Sequence, residues 1–217
     1  HRSGRTEAIW HTALASDQPS YHECRHALHA GRQGDHTRWV KKVLQAFERF
    51  RLLCAVREGG WGVTGLNTAI ERELIARKRL VKDGPWYAGR PVMVTRNDSA
   101  LGVFNGDIGI TLPSPDGLLR VYFLDGDQLR SVGVARLAHI ETAFAMTVHK
   151  SQGSEFTHAA LVLPAYGGSV LGRELVYTGI TRAKAQCTVF TQHPKVLAQA
   201  LAQPTQRHSG LLEFFDS

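Results

Sequence analysis

Between Gly84-Pro85 and about His139 the chain leaves one pattern of secondary structure, takes up another, and then returns to the first. Upstream, Trp39, Val43, Phe47 and Phe50 recur at helical spacing and predict a helix over 36–50. The apolar run 51–56 reads as a buried strand. Thr64 is placed to cap a helix from about 65 to 81, with Leu66, Ile70 and Leu74 on its inner face. Inside the interruption, strands are predicted over 91–95, 108–112, 120–124 and 129–134. Asn105-Gly106-Asp107, the stretch from Pro113 to Gly117, and Asp125-Gly126-Asp127 supply the turns between them. Short strands at this spacing predict a small β barrel. Downstream come a strand over 142–148, a polar loop over 149–155, a strand over 159–163, a helix over 173–183 and a strand over 186–190. Pro194 opens a last helix, where a proline is well tolerated. The expected architecture is one α/β domain with a parallel sheet, built from 1–83 and 141–217, with a β barrel inserted over 84–140.

The 217 residues are 43% hydrophobic and 21% charged. That composition excludes wholesale disorder, collagen and coiled coil. No apolar run approaches the roughly 18 residues of a membrane span, so no membrane partner is expected. The first residue is His1, which leads us to expect a fragment or a processed product. The net charge is +7, and it is uneven. Residues 1–83 carry 15 basic and 9 acidic residues, 84–140 carry 5 of each, and 141–217 carry 6 and 5. Such a balance suits a polyanionic partner, and the neutral middle stretch suits a separate module. The densest basic run, Arg77-Lys78-Arg79 with Lys82, falls where a helix is expected to end and complements its dipole. Three cysteines with no close pair argue against a disulfide framework and for a reducing compartment, here the cytoplasm. Cys54 and Cys187 lie in apolar runs and read as small core residues. His22, Cys24, His26 and His29 crowd one segment, with His22 and His26 at the i, i+4 spacing that can grip a metal on a helix, but no CxxC accompanies them.

Two segments carry groups suited to phosphate chemistry. In the first, a strand delivers Thr147, His149, Lys150, Ser151, Gln152, Gly153 and Glu155 to one edge of the sheet, where ligands of α/β folds bind. It offers hydroxyls, an imidazole, a cation, an amide, and a glycine that permits close backbone approach. The second is Tyr177-Thr178-Gly179-Ile180-Thr181-Arg182-Ala183-Lys184. Its helix fixes Arg182, a planar and permanently charged group suited to a transferring phosphoryl. Each residue alone has a plainer reading. Arg182 serves as a helix-end cation, His149 as a hydrogen-bonded strand-end histidine, and Glu155 as a partner for Lys150.

Taken together, the two segments resemble motifs V and VI of superfamily 1 helicases. Leu53-Cys54-Ala55-Val56-Arg57-Glu58-Gly59, with Gly62-Val63 and Leu66-Asn67, looks like the motif IV region. The stretch from Arg90 to Gly102 and Phe104-Asn105-Gly106-Asp107-Ile108-Gly109 look like the RecD branch, the alpha subunits of exodeoxyribonuclease V. The resemblance is detailed from about residue 50 to 190. It implies a second RecA-like domain (2A) with an inserted SH3-like barrel (2B), from an ATP-driven motor that moves 5′ to 3′ on single-stranded DNA. By motif position Arg182 is the arginine finger on the γ-phosphate, and Arg57 is a second contact to it. Glu155 faces the nucleotide sugar, with Gln152 and Gly153 nearby. Thr147, His149 and Ser151, together with Lys150, hold DNA phosphates or couple them to the nucleotide. The partners implied are the nuclease and scaffold subunits of a RecBCD-type complex acting in recombination and repair.

No GxxxxGK[ST] occurs in the chain, nor any Gly-Lys pair. The phosphate cradle and the magnesium ligands are therefore expected in an upstream domain, so this chain alone is expected to be inactive. No nuclease-like carboxylate cluster is present, which assigns the exonuclease activity to a partner. Two other readings remain open from the residues: a stand-alone or relaxase-linked helicase, and a non-catalytic nucleic-acid-binding module. No GxSxG elbow is present.

Overall fold

The computed structural model describes residues 33–164 and 171–202. The His22/Cys24/His26/His29 cluster and the tail from Pro204 lie outside the described residues. Helix α1 (Gln33–Arg49) runs straight into β1 (Phe50–Cys54), and α2 (Val63–Ala76) follows. Next come β2 (Pro91–Val94), β3 (Ile108–Pro113), β4 (Leu119–Asp125), β5 (Gln128–Gly133) and β6 (Ile140–Thr142). The chain closes with β7 (Ala145–Thr147), β8 (Phe156–Leu163), α3 (Arg173–Ile180), β9 (Ala183–Thr191) and α4 (Pro194–Ala202).

One sheet has the order β7-β1-β8-β9 with every pairing parallel. Its inner strands are built on apolar runs, 52–54 in β1 and 159–163 in β8, as suits strands covered on both faces. Along β1, Leu52 and Cys54 face α2, whose Val63, Leu66, Ile70 and Leu74 pack on them and on Ala160 and Val162. Leu53 faces the other way, toward Leu161 and Leu163 of β8 and the inner sides of α3 and α4 at Leu175, Val176, Val196 and Ala200. The alternation is the two-residue period of a strand. Arg51 is 2% exposed, with its guanidinium 4.0 Å from the Phe47 ring centroid and 5.0 Å from that of Phe156. Two aromatic faces thus shelter a charge at the start of the strand.

The second sheet is antiparallel, in the order β5-β4-β3-β2-β6. It replaces the expected closed barrel with an open sheet, since β5 pairs only with β4 and β6 only with β2. The strand that would complete closure, β6, lasts three residues before the chain departs for the parallel sheet. Val92, Val94, Val121, Phe123 and Val132 form one side of its core. On the other side, Ile110, Leu112 and Tyr122 pack against Val40, Val43, Leu44 and Phe47 of α1. Because α1 also touches β1 and β8, the two sheets share a helix.

Three local expectations are corrected. The strand predicted over 142–148 is two strands, β6 in one sheet and β7 in the other, with Ala143 and Phe144 crossing between them. Helix α2 starts at Gly62, not Thr64, and has no side-chain cap. A methyl at Gly62 would overlap the carbonyl oxygens of Arg57 and Glu58, so the closeness of the preceding turn selects glycine over a capping hydroxyl. The same helix ends at Ala76, where Lys78 takes φ +56°. The basic run therefore follows the helix, with Arg77 paired to Glu73 and Lys82 to Glu71. Among the described residues no helix is long and apolar enough to cross a membrane.

Cys54 is buried and burial pushes its thiol up to about 12, whereas Cys187 is exposed on β9 and is not a core residue. In a Cys24→Ser background at pH 8, one thiol is expected to react with a disulfide reagent in the native protein and the second only after denaturation. Two fast thiols would contradict the burial of Cys54. Above pH 9.0, the ordinary value for that thiol, the unfolded chain gives up the proton that the fold retains. Stability contributed by the buried thiol is then lost as pH rises toward 12.

Candidate functional site

The polar loop after β7 is a tight turn built from its own hydroxyls. Thr147 lies beside Cys54 in register, and the Val148 amide donates to the Cys54 carbonyl at 3.0 Å. A 3-10 turn then runs over His149–Ser151. Ser151 is 0% exposed, and its Oγ donates to the Val148 carbonyl at 2.6 Å. A hydroxyl so placed closes the turn from inside. Thr147 Oγ1 accepts the Lys150 amide at 3.3 Å. His149, Gln152, Gly153 and Glu155 are exposed. Gly153 takes φ +83° with open space around it, so backbone conformation is what calls for glycine there. Lys150 Nζ reaches across to Asn105 Oδ1 at 2.9 Å, which ties this loop to the turn between β2 and β3.

Arg182 sits where α3 returns to the starting ends of β8 and β9. Its carbonyl accepts the Phe156 amide at 2.8 Å. Its guanidinium donates from Nε to the Thr178 carbonyl at 3.3 Å, from Nη1 to the Ser154 carbonyl at 3.2 Å and from Nη2 to Thr181 Oγ1 at 3.4 Å. These acceptors are neutral and the bonds are long, so they orient the cation without cancelling its charge. Glu155 lies at the same end and is ion-paired, at 3.5 Å, with Lys184 and not with Lys150. Both side chains are largely exposed, and such a pair contributes at most about 1 kcal/mol. It is easily exchanged for another partner.

Two members of this cluster were given no role from the sequence. Lys184 stands two residues beyond Arg182 on an extended strand, a spacing that was there to be read. Glu48 carried no such signal, because only the fold brings the end of α1 to this edge. Burial raises the Glu48 pKa, while Arg51 and then Lys184 pull it back.

Arg57 lies elsewhere. It follows β1 and donates from Nη2 to Glu141 Oε2 at 2.7 Å, with 55% of its side chain exposed. Cys54 pairs with Val162, whereas Arg182 is bonded to Phe156 at the other end of the same strand. At ~3.3 Å per residue those levels are on the order of 20 Å apart. The structure does not bring Arg57 and Arg182 into one crevice, which corrects the expectation that both press on a single phosphate. The physical reason is direction. Arg57 leaves the far end of a strand, while α3 runs back along the sheet and delivers Arg182 to the near end. Among the described residues no group of three His, Cys, Asp or Glu side chains is arranged to hold a metal ion.

Residues 142–190, which include β7, its loop, β8, α3 and Arg182, match the UvrD-like helicase C-terminal domain. The matched segment holds part of the parallel sheet, its polar loop and the helix-end arginine. More particularly, the chain is a homologue of RecD. It is 42% identical over 175 residues to RecBCD enzyme subunit RecD of Haemophilus influenzae, an alignment covering 80% of this chain and 26% of that protein. It is 38% identical over 158 residues to RecBCD enzyme subunit RecD of Buchnera aphidicola subsp. Acyrthosiphon pisum, covering 70% of this chain and 26% of that one. The chain thus spans about a quarter of the length of these relatives. Among solved structures, the Pif1 helicase from Bacteroides in complex with ADP-AlF3 and ssDNA aligns with 92% of this chain and 54% of its own, at 15% identity and a TM-score of 0.48.

Proposed function

We propose that this chain is the C-terminal motor portion of an ATP-dependent 5′–3′ DNA helicase subunit in a RecBCD-type exodeoxyribonuclease V acting in recombination and double-strand break repair. The observation that carries the reading is Arg182, held at the end of α3 by the Thr178 and Ser154 carbonyls beside Glu155, inside the segment that matches a helicase domain. In this reading 1–83 and 141–217 form the second RecA-like domain, and 84–140 form an SH3-like unit. Arg182 and Lys184 are chemically suited to a triphosphate and Glu155 to ribose hydroxyls. Glu155 exchanges Lys184 for the sugar, with Gln152 and Gly153 alongside. Magnesium, when bound, neutralises phosphate oxygens, and its ligands come from outside this chain. Arg182 orients on the γ-phosphate as the cleft closes and is released as it opens. The turn held by Ser151 transmits that movement from β8 to Thr147, His149 and Lys150, which face single-stranded DNA. Arg57, committed to Glu141 at the opposite strand end, stays outside the nucleotide site. This chain alone supplies one wall of the cleft and turns over no ATP.

The test is strand separation by the intact protein that carries this chain, on duplexes with a single-stranded tail at one end. ATP-dependent unwinding is expected with a 5′ tail and not with a 3′ tail. Copurification with large nuclease and scaffold subunits is expected as well. Unwinding only from a 3′ tail, or none that needs ATP, contradicts the reading.

A further inference from the structure

The turn between β2 and β3, residues 95–107, is more elaborately built than a hairpin connection requires. Asp98 and Val103 form a two-residue bridge, with bonds of 2.8 Å and 3.1 Å between their backbones. Asp98 Oδ1 accepts the Leu101 amide at 3.1 Å, and Asn97 Oδ1 accepts the Asn105 amide at 2.8 Å. Asp107 Oδ2 accepts the Phe104 amide at 3.0 Å and Arg130 Nη2 at 3.2 Å. The Gly106 amide bonds to the Val94 carbonyl at 2.8 Å with φ +99°. Val103 is buried beneath these bonds. The two loop carboxylates thus bond to the loop's own backbone and to Arg130. What the frame does not bury is Phe104, which is 51% exposed although both flanking residues are fixed. A side chain of that apolarity held in water by a bonded backbone is displayed, not frayed.

Its neighbour in sequence, Asn105, accepts a hydrogen bond from Lys150 Nζ, so Phe104 is one residue from the contact with the loop that carries Lys150 and exposed His149. Arg96, also exposed, precedes the Asn97 that braces the same tip. An exposed aromatic ring on a loop that also presents Arg96 and bonds to Lys150, with the local carboxylates engaged by backbone amides and Arg130, suits a single strand: bases stack on the ring and phosphates meet the cations. We propose that Phe104 is a base-stacking platform for single-stranded DNA, held in register with the phosphate contact at Lys150 through Asn105. This rests on the DNA-motor reading above and adds to it a contact with the bases.

The experiment compares binding of an oligo-dT and an abasic strand of equal length by the full chain, using fluorescence anisotropy at one salt concentration. Phe104→Ala is expected to weaken oligo-dT about tenfold and to leave the abasic strand unaffected. Phe104→Trp is expected to restore oligo-dT binding, and Phe104→Leu, apolar but without a π face, to behave like alanine. The exposed position should leave the thermal midpoint of all three variants at the wild-type value. An unchanged oligo-dT affinity in Phe104→Ala, or equal losses on both strands, overturns the stacking role while leaving the motor reading intact. Failure of the unmutated chain to bind either strand overturns both.

Discussion

Replacing Arg182 by alanine in the intact protein is expected to leave nucleotide binding in place and to lower ATP turnover about 10³–10⁵-fold. The expectation follows from what the side chain is doing before any nucleotide arrives. Three long hydrogen bonds to neutral oxygens hold the guanidinium in place and leave its charge uncompensated. A cation held in this way stabilises charge that develops on a phosphoryl group, and it pays no reorganisation cost at that moment. Because it acts on the transition state more than on the bound nucleotide, loss should fall on turnover and not on affinity. Arg182→Lys separates charge from geometry. Lysine keeps the positive charge, but its single ammonium cannot span the Thr178 and Ser154 carbonyls and also present a fork to phosphate. Turnover by the lysine variant should lie near that of alanine. Fluorescent-nucleotide titration and steady-state phosphate release measure the two quantities separately. Turnover that survives the alanine change would remove Arg182 from the role.

Much of this arrangement was written plainly in the residues, and where it was not the reasons are physical. The inner strands β1 and β8 were legible because burial on both faces favours apolar runs such as 52–54 and 159–163. Arg182 was legible because a helix-end arginine followed by a strand is fixed by local sequence alone. The seam between the sheets was not. An apolar stretch over 142–148 has the same composition whether it forms one strand or two, and what divides it is Asn67, remote in sequence. Sheet closure was equally hidden, since strand count and turn spacing are the same in a barrel and in an open sheet. Thr64 misled because capping preference says nothing of steric space, and the Arg57–Glu58 backbone leaves room only for glycine at the start of α2. The shared nucleotide contact of Arg57 and Arg182 failed for a related reason. Motif order along a chain does not record at which end of a strand each motif emerges.

Asn67 carries the other large expected effect, and it concerns stability. It is 8% exposed on the inner face of α2. Its Nδ2 donates to the Thr142 carbonyl at 3.0 Å and the Ala145 carbonyl at 3.1 Å, while Oδ1 accepts the Ala145 amide at 2.9 Å. One side-chain amide therefore satisfies backbone groups on both strands at the point where the chain crosses from one sheet to the other. Asn67→Leu keeps volume and apolar packing but leaves those three groups unpaired, the two on Ala145 in buried positions. At ~1–3 kcal/mol for each buried unsatisfied group, tempered by relaxation, the expected loss is about 3–4 kcal/mol in a urea titration. Asn67→Asp should be at least as damaging, because it sets a carboxylate oxygen against two carbonyls. Arg77→Ala, which breaks only the half-exposed pair with Glu73, supplies the contrast and should cost under about 1 kcal/mol. Hydrogen exchange locates the effect, since the Ala145 amide should lose protection in Asn67→Leu before amides of β8 do. If Asn67→Leu costs no more than Arg77→Ala, the crossing between sheets is held by packing alone, and the account of the divided strand falls with it.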